Sequence, residues 1–140
     1  MIVLLALAAA LAAEPAQATG ERFVFPDRIE VPAYLQLPTQ QNYREGLRGF
    51  SHAYGLLPPE RRSDLLEFHR SALEQAGWQV EDEADGQVFA SHSNTETGCV
   101  QVFHVSFNGM TRIDAAPMLA ANYALYRSDD CAFIPIELTQ

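Results

Sequence analysis

Polar and apolar positions separate most clearly between Pro58 and Ala116. Leu65, Phe68, His69, Ala72, Leu73 and Ala76 recur at spacings of three and four, which gathers them on one face of a helix, while Asp64, Glu67, Arg70, Ser71, Glu74 and Gln75 fall opposite. Pro59 suits the first helical position, where its missing N–H would go unpaired in any case. Gly77 can take the left-handed conformation that stops the helix. One long helix is therefore predicted from Pro59 to Ala76. The period then changes to two, with Trp78 and Val80 alternating around Gln79 as core positions of a strand on which the helix can pack.

Turn chemistry predicts the strands that follow. Asp85-Gly86 is a hairpin signal, and Asn108-Gly109 is a stronger one because both residues tolerate the positive φ of a type I′ turn. With Asn108 and Gly109 as the loop, Phe107 faces Met110, Val105 faces Arg112 and His104 faces Ile113. Both faces of this meander carry apolar groups, so both call for cover.

The flanks read less regularly. Residues 19–38 are predicted to be an extended arm, interrupted by Pro26, Pro32 and Pro38, because proline cannot donate to a ladder. Thr39 can cap a second helix in which Tyr43, Leu47, Phe50 and Tyr54 share a face and Gly55 ends the pattern. Gly46 and Gly49 each cost it roughly 1 kcal/mol, so it needs tertiary support. Pro117 to Tyr126 reads as a further short helix. Ala132 to Leu138 reads as a last strand, placed at an edge by Pro135. Together these elements predict an α+β fold, an antiparallel β-meander of about four strands packed against one long helix, with an additional N-terminal helix and a C-terminal edge strand.

The beginning of the chain changes the picture of where this domain works. Ile2 to Ala13 is an apolar run, followed by small-residue patterns at Ala10-Leu11-Ala12 and Ala16-Gln17-Ala18, which predicts a secretory signal peptide over residues 1–18. No Lys or Arg precedes the run, a departure from the usual pattern. At about 12 residues the run is shorter than the roughly 17 to 25 that span a bilayer, so no permanent membrane anchor is expected. A periplasmic or secreted location follows, with residues 39–140 as a single domain.

Charge narrows the partners. The chain has 18 acidic and 9 basic residues for a net charge of -9, and every basic residue is Arg. Removing the leader takes away Glu14 alone and leaves -8. No basic stripe tracks a phosphate backbone, which argues against nucleic acid. Glu81, Asp82, Glu83 and Asp85 form the densest charge cluster and are candidate docking residues for a basic protein partner, set against the plainer reading of a solvated hairpin tip. As a calcium loop the cluster fails, because its twelfth position is His92 where a bidentate Glu is needed.

Candidate chemistry is sparse. Cys99 and Cys131 are the only cysteines and have no His partners at zinc-ligand spacing, so an exported chain should join them as a disulfide. Such a bond closes a loop of about 33 residues and contributes about 3 to 4.7 kcal/mol on the chain-entropy model. His52, His69, His92 and His104 are scattered and belong to no HxH, HExxH or GxSxG signature. No catalytic residue, metal or cofactor is nominated. The expected function is a non-enzymatic cell-envelope binding protein of the inhibitor or immunity type. One alternative is a small hydrolase with a site near His92, using Ser91 or Ser93 and a carboxylate from Glu81 or Asp82. The other is an envelope assembly accessory that adds a strand to another chain through its arm.

Overall fold

The computed structural model describes residues 28–45, 48–83 and 86–140. The leader, residues 19–27, Leu47 and Asp85 lie outside the described residues. In chain order come β1 (Arg28–Glu30), β2 (Gln36–Glu45), β3 (Arg48–Leu57), a 3-10 turn (Pro59–Arg61) and helix α1 (Arg62–Gln75). They are followed by β4 (Gln79–Glu83), β5 (Gln87–Ser93), β6 (Val100–Ile113), β7 (Ala116–Arg127) and β8 (Glu137–Thr139). β2 to β7 form one antiparallel sheet in the order β2-β3-β7-β6-β5-β4, and β1 pairs with β8 in a separate parallel pair.

The fold is therefore mostly β, and the expected α+β arrangement of one long helix on a four-strand meander is incorrect. Three local readings went astray. The second helix is the β2–β3 hairpin, in which Tyr43 lies opposite Phe50 and Thr39 opposite Tyr54. The short helix from Pro117 to Tyr126 is β7, which lies between β3 and β6 and pairs with both. Asn108 and Gly109 are a bulge inside β6, between the pairs Phe107–Ala121 and Met110–Leu119. The turn comes at Asp114 and Ala115, whose φ values of 49° and 64° supply the two positive dihedrals of a type I′ hairpin. Gly109, at φ 70°, uses its conformational freedom for the bulge. The predicted last strand, Ala132 to Leu138, is regular only at Glu137 and Leu138, where it enters β8.

One helix stands where its periodicity places it, and topology explains why it is needed. Four antiparallel steps separate β3 from β4, so the two run in the same direction and their connection must cross a face of the sheet. α1 makes that crossing and buries Leu65, Leu66, His69 and Leu73. Gly77, at φ 83°, ends it in a Schellman arrangement, with Trp78 N donating to Leu73 O and Gly77 N to Glu74 O. Trp78 then enters the core.

The sheet has one dry face, here called inner. Val88 and Ala90 of β5, Gln101, Phe103 and Val105 of β6, and Ala121, Tyr123, Leu125 and Arg127 of β7 are buried and lie in register with one another. β3 continues this face with the small residues Gly49, Ser51, Ala53 and Gly55 before ending on Leu57, all buried. The reason is close approach from above. A Cβ on Gly49 would come within 2.6 Å of the Phe133 ring, and one on Gly55 within 2.7 Å of Leu35 Cγ. Glycine, which weakens an isolated strand, here lets the segments before β2 and after β7 lie directly on the sheet.

Gly55→Ala should therefore destabilise the protein by about 1 to 3 kcal/mol through overpacking. Much of that cost should vanish in a Leu35→Ala background, where the colliding side chain is absent. Urea unfolding of the four members of the cycle measures the coupling, and additive effects would contradict the contact.

Candidate functional site

The face opposite the core is half-buried to exposed along most of the sheet, with Leu56 and Met118 as its buried exceptions on β3 and β7. Strand alternation sends Phe50, His52, Tyr54 and Leu56 of β3 there, because the small residues between them face inward. Cross-strand register then builds two rows. One runs Tyr43, Phe50, Tyr126, Val102 and Ser91, and the other His52, Ala124, His104, Phe89 and Glu81. Tyr43 and Phe50 pack in a tilted pair at 4.9 Å between centroids, and Tyr43 remains 45% exposed. His104 Nε2 lies 2.8 Å from Gln87 Oε1 on this outer face.

At the end of this face nearest the β6–β7 turn lies an open trough of about 290 Å3, lined by Tyr54, Leu56, Ala120 and residues Asn108 to Thr111. Ala120 of the middle strand is its floor. Asn122 Nδ2 donates to Asn108 Oδ1 beside it and ties the bulge to β7. Met110, 57% exposed, is the most exposed large apolar residue described.

The predicted docking acids fall on and after β4, at one edge of the sheet. Glu81 is exposed and ends the second outer row, whereas Asp82 and Glu83 stand opposite Val88 and Gln87 in the ladder, and Asp85 lies outside the described residues. An edge strand carrying consecutive acids is a poor template for accidental pairing.

The elements of the hydrolase reading do not converge. Ser91 and Ser93 alternate with His92 along β5, so the histidine faces the same side as Ala90 while the serines face the other. His92 packs on Trp78 at 5.7 Å between centroids, and burial lowers its pKa. Among the described residues no three His, Cys, Asp or Glu side chains are grouped to hold a metal ion.

His69 is the histidine most changed by the fold. Its Nε2 lies 2.7 Å from Tyr123 Oη in a buried hydrogen bond that joins α1 to β7, with Phe103 at 5.3 Å. Burial drives its pKa down from 6.5 to about 3 and pushes the Tyr123 hydroxyl upward, so both stay neutral at ordinary pH. The pair acts as a polar peg in an apolar core, a structural task that needs no substrate.

Cys99 and Cys131 are joined as a disulfide, with Cα atoms 4.8 Å apart. Around it Ser128 N donates to Val100 O, and Val100 N to Ser128 Oγ, fastening the chain after β7 to the start of β6. A disulfide fits an extracellular or periplasmic protein. Among the described residues no helix is long and apolar enough to cross a membrane.

No protein-family model, curated protein or solved structure matches the chain. The reading of function therefore rests on the geometry alone. The aromatic outer face is the feature that sequence reasoning missed. Its signal was present in the alternation Phe50, His52, Tyr54, Leu56, but Tyr43, Leu47, Phe50 and Tyr54 fit a helical period equally well.

His69 sets a pH dependence whose sign follows from its lowered pKa. Its neutral form contributes fully above pH 6.5, and stability is lost as pH falls towards 3, because the unfolded chain takes up a proton that the folded chain refuses. Within that window the slope should be roughly 1.4 kcal/mol per pH unit for this group. Chemical unfolding from pH 7 to 4 should show it, and His69→Gln should flatten it. An unchanged slope in the variant would remove His69 as the cause.

Proposed function

We propose that this is an exported, non-enzymatic binding protein that docks a basic protein partner on the outer face of its sheet and along the adjoining β4 edge. The observation that carries the reading is the open outer face, where the row of Tyr43, Phe50 and Tyr126 lies beside a second row that ends at Glu81, on the acidic edge of a chain with net charge -9. An apolar, aromatic centre with a charged rim is the anatomy of a protein interface. Half-exposed Phe50, Tyr54 and Tyr126 offer rigid contact area at little entropic cost. The acidic edge supplies long-range attraction, which raises association rates more than it deepens affinity. The disulfide supports a periplasmic or secreted setting, and the leader-like residues 1–18 point the same way.

Two variants separate the two parts of the surface. Replacing Glu81, Asp82, Glu83 and Asp85 by Gln or Asn should slow association with a partner recovered from envelope extract, and flatten the salt dependence of its on-rate. Tyr43→Ser should leave the on-rate nearly unchanged and speed dissociation. Surface plasmon resonance at low and high salt measures both, and unchanged kinetics in both variants would sink the reading. The export component has its own check. Protein from its native compartment should begin between Ala13 and Thr19 by intact mass, and retention of Met1 would exclude a cleaved leader.

A further inference from the structure

The inner face of β2 is unusual for a core-facing strand, because Gln40 and Asn42 occupy the positions opposite Ala53 and Ser51. Their carboxamides are spent on the backbone of the segment around β8. Gln40 Nε2 donates to Ile136 O at 2.6 Å, Leu138 N donates to Gln40 Oε1 at 2.7 Å, and Ile136 N donates to Asn42 Oδ1 at 3.2 Å. A single Gln side chain thus presents one donor and one acceptor to alternate residues, as a neighbouring strand would. On its other side β8 pairs with β1, and Val31 N donates to Thr139 O. Ile136 and Leu138, two residues apart, drop into the core and are 2% and 7% exposed.

This is a groove that reads an extended backbone by hydrogen bonds and alternate side chains by apolar sockets, the mode by which strands are recognised in trans. We propose that the groove accepts the β8 strand of a second copy in place of its own, so that the protein can dimerise by reciprocal exchange. The segment that fits the groove is this chain's own, and an exchanged strand remakes the contacts of residues 136–139 with the groove, which keeps the free-energy difference between the two forms small. The connection is suited to it. Residues 132–135, just before the seated segment, form no regular structure, and the upstream end is pinned by the Cys99–Cys131 bond, so only a short stretch must change course. Intramolecular occupancy wins at low concentration because the tethered strand has a high effective concentration. The inference is independent of the outer-face reading, since the groove lies on the inner side of the sheet.

A fluorescent synthetic peptide of residues 132–140 is the probe. Full chain carrying Ile136→Asp and Leu138→Asp, whose own strand can no longer seat, should bind it at least roughly tenfold more tightly than the parent chain does. Adding Gln40→Ala to that variant should weaken binding, and a peptide with the same two Asp replacements should not bind. The parent needs no folding variant. At about 1 mM it should show a dimer by sedimentation velocity, and two copies of different isotopic mass should form a mixed species on incubation. Overturning results are a folded double variant that ignores the peptide, peptide binding indifferent to Gln40, or a parent that stays monomeric at that concentration.

Discussion

The contact between α1 and the inner face of the sheet is what the remaining structure depends on. β3 and β4 run parallel at a distance of three intervening strands, and only a connection that crosses the sheet can join them. Once α1 lies there, Leu65, Leu73 and Trp78 share a core with Phe103, Val105 and Tyr123, and a hydrogen bond pairs His69 Nε2 with the Tyr123 hydroxyl inside it. Covering the other half of the same face falls to chain segments without helix. Leu35 lies on Gly55 and Phe133 on Gly49, and β8 is held by side-chain amides. With its cover spent on one side, the fold leaves the other as a half-exposed aromatic surface.

That asymmetry links architecture to the proposed role. A six-stranded sheet with one dry face must put its alternate residues somewhere, and β3 places glycine, serine and alanine inward and Phe50, His52 and Tyr54 outward. The reversal of the usual apolar-in order on this strand has a packing cause, the close approach of Leu35 and Phe133. Its consequence is an outer face more aromatic than a solvated sheet requires. The disulfide and Ser128 keep the return from β7 tight against β6, which holds Phe133 over Gly49.

How far the elements were legible depended on competition between periods. In α1 the apolar spacing, Pro59 and Gly77 agree, and the helix stands at Arg62–Gln75. The β4–β5 ladder closes from Glu83 to Gln87 around the Asp85-Gly86 signal. Tyr43 to Tyr54 satisfied both a helical and a strand period, and only the partners on either side decide between them. β7 is rich in Ala and Leu, which favour helix, yet it is held by ladders to β3 and β6 that outweigh local propensity. Asn108-Gly109 is good turn chemistry used for a bulge, because β6 and β7 continue to pair for several residues beyond it.

By itself the sequence determined the acidic character of the chain, the helix that Gly77 stops, and the pairing of Cys99 with Cys131. These follow from composition and from contacts within a few residues. Tertiary structure alone decided that β7 would be a strand, that Ser91 and Ser93 would face away from His92, and that His69 would be a neutral peg and not a base. It alone decided which sheet face stays open and that Gln40 would clamp a strand 96 residues away. Each of these is set by partners distant in the chain, and a side chain's neighbours across a sheet leave no trace in its local spacing.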